Sequence, residues 1–196
     1  METQETISAW AEETFGPAGS NLRVAARANE EMAELLRHLS SDPAHPKAPE
    51  EAADVVIVLS RLATRLGCKV PPAPSLRRKC RASLYAVHAN ANLQKVLEFT
   101  EACPRHVDTA KCIEGCFDSL SALCERLGTT LQAEIDKKMQ VNRARVWKLD
   151  GTGHGYHQKP EERYKAALRE IVAYKSGSVG GAGFYHLKRI AEAALI

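Results

Sequence analysis

Apolar residues recur three or four positions apart through most of this chain, the spacing of one face of a helix. One stripe runs Ala28, Met32, Leu35, Leu36, Leu39; a second runs Val55, Val58, Leu59, Leu62, Leu66. Ser20 or Asn21 is placed to cap the first of these helices, which continues to about Ser40. A polar linker with Pro43 and Pro46 follows, Pro49 opens the next helix, and Gly67 ends it. Val70-Pro71-Pro72-Ala73-Pro74 reads as a stiff connector. Further helices are predicted from Ser75 to about Cys103, from about Asp108 to Leu127, and from a Thr129/Gln132 capping box through Trp147. Ahead of them, Ile7, Trp10 and Phe15 suggest a short helix and a Phe15-Gly16-Pro17 turn. Behind them, a helix from Pro160 to about Tyr174, a glycine-rich segment over 177–183 and a last amphipathic helix from Phe184 make a C-terminal extension. No alternating strand pattern of useful length is present. The expected fold is all-α: a helical domain over 1–157 and a helical extension over 158–196.

Composition narrows this picture without redirecting it. The 196 residues are 44% hydrophobic and 26% charged, a globular balance with room for a core. A net charge of +3 gives no reason to expect a nucleic-acid partner. Neither a spanning apolar run nor a signal-peptide core is found, so no membrane partner and a cytoplasmic location are expected. Six cysteines form no CxxC pair. Cys112 and Cys116 with His106 offer a zinc site, against buried free thiols as the alternative.

What changes the picture is where the acids fall. Glu30-Glu31-x-x-Glu34 precedes the linker and Glu51-x-x-Asp54 follows it. On a helical wheel Glu31 stands about 40° from Leu35, and Glu34 about 100°. Glu51 and Asp54 stand at the same two offsets from Val55. If the stripes pack antiparallel, four carboxylates converge at the edge of the core. Such anions repel strongly unless a cation joins them, and oxygen ligands suit Mg²⁺ or Mn²⁺. The other reading is a pair of solvated acidic helix faces. Glu30 and Glu50 point away from the stripes; Glu30 can face a second metal, the attacking water or solvent, and Glu50 is a first-turn helix acid.

Sliding the chain by 61 residues superposes Leu59–Gly67 on Leu120–Gly128 and Ala28–Leu36 on Ala89–Leu97. Under that offset Glu31 falls on Asn92, Glu34 on Lys95, Glu51 on Cys112 and Asp54 on Gly115. The second hairpin thus keeps the apolar stripe and drops every proposed ligand, leaving one metal site per chain.

A second constellation lies over Asp136–His157. Lys138, Asn142 and Arg145 share one helical face and suit a polyphosphate, with an ordinary basic surface as the alternative. Gly151-Thr-Gly-His-Gly155 is too glycine-rich for regular structure and is not a P-loop. It either closes over a substrate, with His154, Tyr156 or His157 reaching phosphate, or simply joins two helices. Trp10 or Phe15 can stack on a base or fill the core, and Asn21 can read a base edge or cap its helix.

EExxE followed by ExxD on an α-hairpin resembles the all-α nucleoside triphosphate pyrophosphohydrolases, the MazG and dimeric dUTPase superfamily. Lys138-x-x-x-Asn142-x-x-Arg145, followed by an aromatic and a Gly-Tyr pair, is similar to the phosphate-binding motif of the dimeric dUTPases. The longer string KMQVNRARVWKLDGTGHGYH is similar to phage MazG-like enzymes of the MazZ type, which act on dATP and dGTP. The resemblance covers 28–67 and 134–157. It implies a MazG-like bundle, in which a tandem hairpin with one degenerate half is a known form. It also implies Mg²⁺- or Mn²⁺-dependent cleavage between the α- and β-phosphates and a dimer or tetramer of identical chains in the host cytoplasm. The substrates it implies are purine deoxynucleoside triphosphates, supplying dGMP for 2-aminoadenine DNA. Glu31, Glu34, Glu51 and Asp54 would hold metal. Glu30 and Lys138 would assist the chemistry, while Asn142, Arg145, Trp10, Asn21 and Tyr156 would contact substrate. A pyrimidine-specific dUTPase or dCTPase, and a non-catalytic acidic interaction module, are the alternatives.

Overall fold

Thr3 accepts from the backbone N–H of Thr6, and Thr6 reciprocates, so a capping box starts the helix Gln4–Phe15 (α1). Ser20 does the same for Asn21–Ser41 (α2) by accepting from Arg23 N at 3.1 Å. A short polar turn leads into Ala48–Arg65 (α3), with Pro49 in its first turn. That helix ends at Gly67, whose φ of +66° a side chain would strain, and Cys68 N closes back on Ala63 O at 2.9 Å. Ala82–Ala102 (α4), His106–Arg126 (α5) and Leu131–Ala144 (α6) follow. Trp147–Leu149 (β1) and Gly155–His157 (β2) pair as a small ribbon. The computed structural model describes residues 1–70, 80–102 and 106–157, with Arg169 and Arg189 as isolated helical positions. Apart from those two arginines, the extension expected over 158–196 lies outside the described residues, as do Cys103 and most of the proline connector.

The chain divides into two units. One comprises 1–144 with 149–155, and the other 145–148 with 156–196. In the first unit, helices pack on helices, as an all-α fold requires. The pairs α2–α3 and α4–α5 pack face to face, and α3 also touches α1, α5 and α6. This central place explains why α3 is apolar beyond one stripe: Ala52, Ala53, Val55, Val56, Leu59, Leu62 and Ala63 are all fully buried. Facing them are Val24, Ala28, Met32 and Leu35 of α2. Each fully buried large apolar side chain contributes about 1.5–3 kcal/mol against exposure, so this seam dominates the stability of the hairpin.

Three expectations are corrected. The fifth predicted helix does not reach Trp147: α6 stops at Ala144, and Trp147 begins a strand. The glycine cluster beyond forms the turn of a ribbon, and that ribbon takes up the chain where the helix was expected to continue. The helix expected from Ser75 begins at Ala82, since Cys80 and Arg81 are not helical. The cap of α6 is Thr130, which accepts from Ala133 N at 3.2 Å; Thr129 instead donates to Glu134 at 2.9 Å, and Gln132 donates to Glu2 O and Asp136.

Candidate metal centre

Burial along α2 and α3 places the acids. Glu31 and Glu51, the two nearest their stripes on the wheel, are each 8% exposed. Asp54 lies beside them and Glu34 is half-buried. One carboxylate oxygen each from Glu31, Glu51 and Asp54 falls within 4.8 Å of the others, close enough to share one ion. Among the described residues this is the group of acids, histidines and cysteines so arranged. Glu34 is outside that trio but near enough to act on the charges of Glu31 and Glu51. Glu30 is exposed on the outer side and receives Arg27 Nη1 at 2.5 Å.

The cations around the acids are specific. Arg27 Nη2 pairs with Glu31 one turn along the same helix. Lys138 Nζ reaches across from α6 to Asp54 at 2.6 Å and Glu50 at 2.7 Å. His38 Nε2 stands 3.3 Å from Glu51. Glu50 is therefore not merely a first-turn acid pointing away. It stands in the first turn as expected, 41% exposed, and also meets Lys138 of α6. These cations do not match the acids in number. Burial, and then the fields of Asp54, Glu34 and Glu51 against that of Arg27, push the Glu31 carboxyl up to about 7. Burial likewise lifts Asp54 to about 6 despite Lys138, and raises Glu51. Burial alone would lower the Lys138 ammonium, but Asp54 and Glu50 hold it above its usual value.

The donor set is all carboxylate oxygen, buried or nearly so, and in excess of its cations. That chemistry fits a hard divalent ion such as Mg²⁺ or Mn²⁺. A zinc site from cysteine has no such support: Cys112 and Cys116 are buried free thiols, and Cys116 donates to Ala89 O at 3.3 Å.

The remaining residues singled out in the sequence are dispersed. Lys138 and Asn142 are buried on α6, whereas Arg145 lies past the helix end in the other unit, 5.9 Å over the Trp147 ring. Tyr156 is 53% exposed in that unit, beneath Lys148. Trp10 is buried edge-on to Phe15, with centroids 5.3 Å apart, and Asn21 Oδ1 accepts from Arg65 at 2.8 Å.

Sequence reasoning passed over Arg27, His38 and Arg61. The signals were a cation three and four residues ahead of the Glu30-Glu31 pair and a lone arginine inside the apolar run of α3. Arg61 is 4% exposed. Its guanidinium donates to Glu12 at 2.9 Å, to Gly16 O at 2.6 Å and to Gly153 O at 2.6 Å. Among the described residues no helix is long and apolar enough to cross a membrane. No family model, curated protein or solved structure matches this chain.

Proposed function

We propose that the protein is a Mg²⁺- or Mn²⁺-dependent nucleoside triphosphate pyrophosphohydrolase acting on purine deoxynucleotides, dGTP and dATP, as the family resemblance implies. One observation carries this reading: Glu31, Glu51 and Asp54 bring carboxylate oxygens within 4.8 Å of one another on two packed helices, with more negative charge than the neighbouring cations balance. Buried like charges are costly, and packing alone gives no reason to gather them.

Glu31, Glu51 and Asp54 would hold the ion, with Glu34 at its edge. A bound divalent ion supplies charge neutralisation for the phosphates and a lowered pKa for water. The chain's own groups do the rest. Lys138 fixes the Asp54 carboxylate and Glu50 from α6, so the ligand geometry is set before substrate arrives. Glu30, exposed beside Glu31 and paired with Arg27, would accept a proton from the attacking water. Water oxygen bonds to the α-phosphorus, the bridging bond to the β-phosphate breaks, and diphosphate leaves with the electron pair. The second hairpin, α4–α5, is a scaffold copy of the first without the ligands, and the chains assemble as a dimer or tetramer.

The test is hydrolysis of each dNTP with Mg²⁺ or Mn²⁺, with products separated by chromatography. dGMP and dAMP with diphosphate are expected. Turnover of dUTP or dCTP alone would keep the reaction and remove the purine assignment. No metal-dependent turnover by folded protein would leave an acidic interaction surface.

A further inference from the structure

Each of the three clustered carboxylates has a nitrogen partner, and the partners differ in kind. Arg27 pairs with Glu31 and Lys138 with Asp54, and both are cations. Glu51 has His38, whose Nε2 stands 3.3 Å from Oε1. A cation beside a ligand competes with a bound ion for the same negative charge. An imidazole needs no charge to donate an N–H, so it can orient a carboxylate and leave that charge for the ion. His38 is not one of the converging groups. Among the described residues, the ligand atoms within 4.8 Å of one another belong to Glu31, Glu51 and Asp54, and His38 meets that trio at Glu51.

The His38 ring is held by the turn between α2 and α3. It lies in the last turn of α2, and His45 stacks on it with centroids 4.3 Å apart and planes 24° apart. His45 is fastened in its own place. Lys47 N donates to its Nδ1 at 3.2 Å, and Ala48 N donates to its carbonyl at 3.0 Å. His45 N donates to Asp42 O at 3.0 Å, while Asp42 Oδ1 accepts from Ala44 N at 2.9 Å. A turn that only reverses the chain has no need of two stacked imidazoles.

The second hairpin supplies an internal comparison. At the offset of 61 residues Glu51 falls on Cys112, and His38 falls on Phe99. The hairpin that lacks the acid also lacks the imidazole. That is the pattern expected of a histidine kept for the carboxylate rather than for the end of the helix.

We propose that His38, steadied by His45, is a positioning residue for the Glu51 metal ligand, its Nε2–H holding the carboxylate in the orientation an ion needs. This rests on the metal centre of the hydrolase reading and deepens it, because it gives the α2–α3 turn a part in ion binding.

The experiment is Mn²⁺ titration of the full chain, read by the electron paramagnetic resonance signal of the free aquo ion. His38 is 25% exposed at a helix end, so substitutions there should fold, which metal-free melting checks. His38→Leu keeps an apolar body and no donor, and its Mn²⁺ affinity should fall about tenfold or more. His38→Gln, whose amide N–H can stand where Nε2 stood, should recover most of that loss. His45→Ala tests the same link without touching His38 and should fall between the two. In a Glu51→Gln background, adding His38→Leu should change affinity by less than about twofold, since a residue acting through Glu51 has nothing left to hold. Parent-like affinity in His38→Leu, no recovery with glutamine, or equal losses with and without Glu51 would overturn the inference. So would pulsed-resonance coupling from a directly bound nitrogen, which would make His38 a ligand. The expected losses of Mn²⁺ affinity in a protein that turns over no dNTP would uphold the positioning role and count against the hydrolase reading alone.

Discussion

The hairpins α2–α3 and α4–α5 solve one packing problem with opposite chemistry. In the first, Glu31 and Asp54 face each other across the seam and share their neighbourhood with Glu51. In the second, the positions 61 residues on are Asn92 and Gly115. The Asn92 amide lies directly over Gly115, where an added Cβ would come within 2.8 Å of its Nδ2. Cys112, in the place of Glu51, is a buried free thiol. Both seams have fully buried leucines at their centre, Leu35 and Leu62 in one and Leu93 and Leu120 in the other. A neutral amide and a missing side chain stand in the second seam where Glu31 and Asp54 stand in the first. The acids of the first are therefore not a requirement of helix packing. They cost stability in the metal-free protein, and that cost has to be offset by something the second hairpin does not do.

The sharpest way to break the comparison is to neutralise one acid in the first seam. Glu51→Gln keeps the size of the side chain and removes a proposed ligand. Turnover of dGTP with Mn²⁺ should fall by about a thousandfold or more, judged by the scale of losses when groups stabilising transition-state charge are removed. The melting temperature without metal should stay level or rise, since a repelling charge has gone. An active Glu51→Gln enzyme would show that this seam is no more catalytic than the other.

Proton linkage offers a smaller but more diagnostic effect. Glu31 near 7 and Asp54 near 6 both titrate above ordinary carboxylates. The folded protein thus holds protons that the unfolded chain releases near pH 4. This contribution to stability is complete below about pH 4 and is lost as pH rises through 6 and 7. Metal-free melting temperatures should drop by about 5 °C between pH 5 and pH 8 on this account. Saturating Mn²⁺ should reverse the slope, because it binds the deprotonated carboxylates. Glu31→Gln should flatten the metal-free profile; an unchanged profile in that variant would place the linked protons elsewhere.

The hairpins and the acids were legible because periodicity encodes both. The offset that fixed the apolar stripe also fixed which acids would be buried, and Glu31 and Glu51 are the two nearest the stripe. The counter-cations were less legible, because their partners come from other elements. Lys138 reaches the acids from α6, 84 residues beyond Asp54 in the numbering, and nothing local to either position announces the pair. Glu50 does stand in the first turn of α3, as expected; its partner Lys138 went unread for the same reason, since it comes from another element. Arg145 was assigned to the face of Lys138 and Asn142 by assuming a helix that ends at Ala144. Helical residues extend that pattern, and only the ribbon, a pairing between separate segments, stops it.

The smallest expected effects are in the second seam. Cys112→Ala removes one buried sulfur and should cost about 1 kcal/mol, with turnover unchanged. Gly115→Ala is finer still, because two terms oppose each other. Alanine in place of glycine inside a helix contributes about 1 kcal/mol in its favour. Its Cβ, however, meets Asn92 at 2.8 Å and obliges that amide to turn aside. The amide is the end of a short side chain that can rotate, so the two terms should nearly cancel. The melting temperature should shift by no more than about 2 °C and dGTP turnover should equal the parent's. A large loss of turnover from either substitution would mean that the second seam is coupled to the carboxylates of the first. The second seam would then be part of the site, and the contrast between the two hairpins would fail.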